Sequence, residues 1–295
     1  MSAPSPPPHL PWTAALPYPA VLVGTVAFSN ALHAWRVAPG FIATFSFLLA
    51  LGLTVATERL FPEDPAVRVD PEDAVWLAVT GGVQGVWQLS FMALESAVAP
   101  TLIAWGRPSW GVHSAPLAAQ VVVSLTLSEL LKYGLHRLSH ERAGLWRFHA
   151  EHHCPPQVYA INGARMHPVN LVWNLASDAL VPLALGLDLR AAVLLAALRN
   201  AVAAMQHANA RLRLDGWNWL FSTPDLHRWH HDADGAARTN YGSTLMVWDV
   251  LFGTRKLPPG RPARYGLAEG ATHPKGLGAQ LAWPWSRDAH VAPPA

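Results

Sequence analysis

Ten of the fifteen histidines in this 295-residue chain lie between His136 and His231, and eight of those ten fall into three tight clusters. The clusters are His136-Arg-Leu-Ser-His140, His149-Ala-Glu-His152-His153 and His227-Arg-Trp-His230-His231. Positions i, i+3 and i+4 share one helix face, so a helical cluster directs two or three imidazoles at one spot. Adjacent histidines point roughly 100° apart on a helix, which lets a pair such as His152 and His153 serve two ions side by side. Core packing does not account for the clustering, because buried neutral imidazoles still need hydrogen-bond partners. Eight imidazoles also exceed the roughly four to six ligands of one transition-metal ion. The pattern asks for two metals where several helices converge.

The rest of the chain says where that convergence lies. Charged residues make up only 14% and hydrophobic residues 51%, against ~25% charged in an average soluble protein. Apolar residues gather in six runs, 18–35, 41–57, 74–94, 115–135, 168–187 and 189–207. Most approach the ~20 residues that cross a bilayer, and the second is at the short limit. The last three carry Gln120, Glu129, Asn170, Asn174, Asp178 and Arg199. Those residues are expected to face the bundle interior, unless these helices only dip into the membrane. The fourteen tryptophans suit a headgroup boundary, with several as core aromatics. The expected fold is all-α, an integral membrane helical bundle with a histidine-rich two-metal domain at its cytosolic face. Its expected parts are a flexible proline-rich arm (1–17), N-terminal transmembrane helices (18–114), a histidine-rich catalytic region (115–256) and a proline- and glycine-rich tail (257–295).

Span parity puts all the clusters on one side. With the N-terminus inside, the inside segments are the arm, 58–73, 136–167 and everything after 207. The outside segments are 36–40, 95–114 and the turn near Asp188. Arg59, Arg68, Arg137, Arg142, Arg147, Arg165, Arg211 and Arg213 lie near inside ends, against Arg36, Arg107 and Arg190 outside, the cytoplasmic bias of short loops. The first 19 residues hold seven prolines and no Lys or Arg, unlike a secretory signal. A site at these span ends sits close to acyl-chain depth, a placement that a lipid substrate requires and a water-soluble one does not.

Imidazole suits iron, zinc, copper and nickel, so ligand type alone leaves the metal open. The lone Cys154 excludes an internal disulfide; it is either a small buried filler or a thiolate ligand beside His153. Two-metal hydrolases mix carboxylates with histidines. Here Glu129, Glu151, Asp225 and Asp249 read better as partners that orient imidazole rings. Redox iron in an all-nitrogen shell is the best chemical match for oxygen activation beside a lipid. A net charge of +2 without a basic stretch gives no sign of a nucleic-acid partner. The sequence contains no Gly-rich dinucleotide fingerprint, so electrons are expected from a separate donor protein.

Three segments resemble the histidine boxes of the fatty acid hydroxylase / sterol desaturase superfamily. They are Glu129-Leu-Leu-Lys-Tyr-Gly-Leu-His136-Arg-Leu-Ser-His140, Leu145-Trp-Arg-Phe-His149-Ala-Glu-His152-His153 and Thr223-Pro-Asp-Leu-His227-Arg-Trp-His230-His231. Arg165-Met-His167-Pro168, His207-Ala-Asn209, Asn240-Tyr-Gly, Trp248-Asp249 and Phe252-Gly-Thr254 are similar to the intervening and following elements. The resemblance covers about 121–266. It implies an integral membrane di-iron enzyme that uses O2 and two electrons to hydroxylate or desaturate an unactivated C–H bond of a lipid. The resemblance leaves the lipid open among a sterol, fatty acyl chain, sphingolipid, carotenoid and ether lipid, and the donor among a ferredoxin, a cytochrome and a flavin reductase. Carried over residue by residue, the implied ligands are His136, His140, His149, His152, His153, His207, His227, His230 and His231. They would hold two iron ions, which zinc can replace.

His167, before Pro168, is balanced between ligand and structural hydrogen bond. His9, His33, His113, His273 and His290 read as surface or interfacial residues. Tyr133, Trp146 and Trp229 either cover the metals or serve as core aromatics. The rival reading is a membrane zinc protein without redox chemistry, a hydrolase or a metal carrier. A carrier would place its ligands near the bilayer midplane rather than at span ends.

Overall fold

The computed structural model describes residues 10–105, 111–235 and 238–286, with side chains omitted at 91–92 and 94–105. Part of the arm, loop and tail expectations, with His9, Arg107 and His290, lies outside the described residues. The described chain is helical, with only isolated bridges of extended backbone. The longer helices are α1 (Pro17–Ala34), α2 (Pro39–Leu60), α3 (Pro71–Trp105), α4 (Leu117–Glu141), α5 (Ala143–His153), α6 (Pro168–Leu185) and α7 (Leu189–Gln206). Short helices follow, α8 (Trp217–Leu220), α9 (Pro224–His230), α10 (Val247–Leu251) and α11 (Leu277–Ala282).

Proline explains several of the starts. Pro17, Pro39, Pro168 and Pro224 stand at first helical positions, where a missing N–H costs nothing and the fixed φ already suits a helix. Gly186 closes α6 in the left-handed conformation, the usual glycine stop.

Helices α1, α2 and α7 pack on one another, and α4 packs against α5, α6 and α7. The central helix, α7, buries Ala191, Ala197, Ala201 and Ala204, small residues that let neighbouring backbones approach. Large apolar side chains point outward instead, among them Val23, Phe41, Phe45, Leu48, Val86, Leu89, Val122, Leu180 and Leu183. An apolar exterior around an interior of small and polar groups fits lipid rather than water. In α2 the buried hydroxyls of Ser46, Thr54 and Thr57 donate to carbonyls four residues back, so the helix satisfies them itself.

Among the described residues three helices, α2, α6 and α7, are long and apolar enough to cross a membrane, against six runs expected from the sequence. The run at 74–94 belongs to a longer helix, and polar side chains dilute α1 and α4. In the last three runs those polar side chains turn inward, as expected. Gln120 bonds Asp188 across the bundle, Asp178 bridges Lys132 and Arg199, and Glu129 and Asn170 are buried.

The end of α2, the 3-10 turn Ala160–Ala164 and the strand-like segment after α7 meet at one end of the bundle. Glu58 Oε1 accepts from the N–H groups of Ala160 and Asn209, each at 2.7 Å, and Arg211 N–H donates to the Phe61 carbonyl. That end carries every histidine cluster. The tail packs back over α5, where Trp283 meets Trp146 and Ala150.

Candidate metal centre

Each cluster is helical. The last two turns of α4 present His136 and His140, α5 presents His149, His152 and His153, and α9 presents His227 and His230 with His231 at its C-cap. His207 caps the end of α7. The structure sorts the nine into two sets, within each of which one ring nitrogen per residue lies within 4.8 Å of all the others. One set is His136, His140, His149, His153 and His230; the other is His152, His207, His227 and His231. Adjacent residues part company, with His152 and His153 in different sets and His230 and His231 likewise. The 100° step of the helix does this.

Hydrogen bonds fix the protons. His136 Nδ1 lies 2.7 Å from the Tyr241 carbonyl, His230 Nδ1 2.8 Å from that of Thr239, and His152 Nδ1 3.1 Å from that of Arg165. His149 and His207 use Asn170 Oδ1 and Asn162 Oδ1 at 2.8 and 3.2 Å. A carbonyl oxygen only accepts, so each of these Nδ1 atoms carries the proton and each Nε2 is a bare lone pair. Yet His136 Nε2 faces His149 Nε2 at 3.1 Å, and His207 Nε2 faces His152 Nε2 at 3.3 Å. Two lone pairs at that distance repel unless a cation sits between them. His230 Nε2 is buried without a hydrogen-bond partner among the described residues. Two nitrogens each about 2.1 Å from one ion stand about 3.0–3.4 Å apart at right-angled to tetrahedral geometry. The observed spacings fit that range. The residues fit a pair of transition-metal ions in all-nitrogen shells.

Burial keeps the rings neutral. It lowers the pKa of His136 and of His152 to about 4, and holds His140, His149, His153, His227, His230 and His231 well below the ordinary histidine value, with mutual repulsion adding in most cases. Neutral imidazole is the metal-binding form. Trp146 lies on the first set, its ring 5.2 Å from His140 and 5.4 Å from His153. Tyr133 instead stacks on Phe252, and Trp229 is partly exposed.

The four carboxylates do not orient the rings directly. Glu129 Oε2 accepts three backbone N–H groups, from Ser243, Thr244 and Leu245. Asp249 holds the N–H groups of Tyr241 and Gly242. They fix the loop whose Tyr241 carbonyl orients His136, one step further out than expected. Glu151 pairs with Arg165, whose own carbonyl orients His152, and Asp225 pairs with Arg228. Neutral carbonyls suffice because the rings need only an acceptor.

His167 belongs to neither set. Its Nδ1 accepts from Val169 N–H at the start of α6, and its Nε2 reaches the Leu281 carbonyl, so the structural hydrogen bond holds. His33 and His113 are partly exposed. His273, read as a surface residue, is 9% exposed and sits beside Glu151. The Cys154 thiol lies outside both sets and donates to the Glu151 carbonyl.

Sequence reasoning missed Asn162, Gly163 and Asn170 as supports of the rings. A Cβ on Gly163 would meet the His207 ring at 3.0 Å. Nothing in their spacing marks these residues, although Asn170 is a polar residue in an apolar run.

A family profile described as fatty acid hydroxylase matches residues 121–254. An ornithine lipid hydroxylase of Rhizobium tropici is 35% identical over 251 residues, covering 82% of this chain and 75% of that protein. An alkylglycerol monooxygenase of Xenopus tropicalis is 26% identical, over 48% of this chain and 30% of that protein. A very-long-chain aldehyde decarbonylase of Oryza sativa is 25% identical, over 56% of this chain and 59% of that protein. No solved structure matches the chain.

Proposed function

Because the chain belongs to the fatty acid hydroxylase family and is a hydroxylase-type monooxygenase, we propose that it hydroxylates an unactivated C–H bond of a membrane lipid with two iron ions and O2. His136, His140, His149, His153 and His230 hold one ion, and His152, His207, His227 and His231 the other. The observation that carries this reading is the pairing of bare Nε2 atoms across each set, which only cations reconcile. Neither set contains a carboxylate, which disfavours the zinc hydrolase.

When bound, the iron pair supplies two-electron reduction of O2, one oxygen atom entering the C–H bond and the other leaving as water with two protons. The protein does the rest. Tyr241, Thr239, Arg165, Asn170 and Asn162 hold each ring in one tautomer, and burial keeps the rings neutral. Trp146 covers the first set against water. Two electrons per turnover come from a separate ferredoxin, cytochrome or flavin reductase. Val122, Leu127 and Leu130 of α4 present apolar surface outward, and His136 on the same helix is the partly exposed member of the histidine sets, the side from which we expect an acyl chain to approach. We place the site on the cytoplasmic face, supported by the arginines near the inside ends.

The relative that covers most of this chain makes ornithine lipid the first substrate to try. Lipid mass spectra from cells with and without the gene should differ by one added oxygen on one lipid class, only when O2 is present. A loss of two hydrogens would make the enzyme a desaturase, and turnover by a preparation with fewer than two ions per chain would overturn the two-metal reading.

A further inference from the structure

Beside the histidine sets, Glu151, Cys154 and His273 bring a carboxylate oxygen, a thiol sulfur and an imidazole nitrogen within 4.8 Å of one another. Glu151 is 2% exposed, and the His273 side chain 9%. Glu151 Oε2 and His273 Nε2 approach to 3.2 Å, yet neither makes an aligned hydrogen bond with any described residue. An imidazolium–carboxylate pair would direct its N–H along that line. A ring nitrogen whose axis points off that line, toward a spot beside the carboxylate oxygen, is instead the arrangement of two ligands around a cation. Charge agrees. Arg165 contacts the other oxygen, Glu151 Oε1, at 2.7 Å, but it is also paired with Asp73 at 2.9 Å and lies 3.7 Å from Glu72. One guanidinium thus serves three carboxylates, and the cluster carries net negative charge.

We propose that Glu151, Cys154 and His273 form a third metal site, separate from the iron pair, for a thiophilic divalent ion such as zinc. Thiolate, imidazole and carboxylate are together a zinc donor set, with water as fourth ligand. Binding displaces the thiol proton to solvent. The site joins residues far apart in sequence. Glu151 and Cys154 end α5, whereas His273 comes from the tail, where its ring packs 4.7 Å from Trp283. The ion therefore fastens the tail onto the helix that carries His149, His152 and His153.

Cys154 is the chain's only cysteine, which makes the test specific. The full-length protein in detergent, stripped of metal and titrated with Co2+, should develop a near-ultraviolet thiolate-to-cobalt absorption whose final intensity corresponds to one thiolate-bound ion per chain, whatever the histidine sets take up. Nine histidines without sulfur cannot produce that band, so the outcome is independent of the iron reading. The band should vanish in Cys154→Ser and be lost in both His273→Ala and His273→Gln, with helix content unchanged by circular dichroism. Absence of the band in the unmodified protein would overturn the site in favour of a plain ion pair. A band that survives with undiminished affinity in both His273 variants would overturn it too, leaving only an adventitious thiol ligand.

Discussion

The two histidine sets lie side by side but are built differently. α5 and α9 contribute to both, each through an adjacent pair that splits between them. These shared helices fix the separation of the sets. The remaining histidines are private, His136 and His140 from α4 for the five-membered set and His207 from α7 for the four-membered set. The former set includes the partly exposed His136, whereas every member of the latter is buried. Its one private histidine is braced by Asn162 and closely approached by the Gly163 backbone, which leaves no room for a Cβ. A common frame with separate supports means that the two ions should be removable one at a time.

Acid should erase the distinction. The folded-state pKa values of His136 and His152, one from each set, fall to about 4 from an ordinary 6.5. Groups lowered in this way take up protons only on unfolding, so their contribution is complete above about pH 6.5. It is lost as the pH falls from there toward about 4. Metal retained after dialysis, and thermal stability, should both decline across that window for the two sets together. Full retention of both ions near pH 4 would contradict the burial argument.

Single histidine substitutions should separate the sets. His207→Ala leaves three nitrogens in its set and should yield protein with one of the two iron ions and no turnover. His230→Ala leaves four in the other set; it should also abolish turnover while retaining more metal than His207→Ala. Elemental analysis of the two proteins decides, and the reverse order would break the assignment.

Supports should have smaller, set-specific effects. Gly163→Ala pushes on His207 and Glu129→Ala frees the loop behind His136, so the first should weaken the four-membered set and the second the five-membered one. Loss of an outer partner typically costs ~10–100-fold in metal affinity or activity. Titrations of iron into stripped protein would show which affinity falls, and equal loss at both sets would make the supports common. The smallest effect on the pair is expected from Cys154→Ser, which should keep both histidine-held ions and most of the turnover. Loss of one of those ions would move Cys154 into the first set.

The histidine spacing by itself determined that helices carry the clustered histidines and that neighbours such as His152 and His153 fall into different sets, the pattern on which the two-ion proposal rests. Helical periodicity is a local property, so it is written in the order of residues. Long apolar runs likewise marked a membrane bundle, although among the described residues only three helices are apolar enough to span, because inward polar groups such as Gln120 and Glu129 dilute a run without showing which way they face. Only the tertiary structure decided which histidines form each set, since membership depends on how α4, α5, α7 and α9 meet. It alone showed that backbone carbonyls and two asparagines orient the rings, with Glu129 and Asp249 acting behind them. A carbonyl leaves no mark in a sequence, because every residue has one. His273 teaches the same lesson at longer range, for no spacing rule connects a histidine in the tail to Glu151, and only the packing of Trp283 against α5 brings the two together.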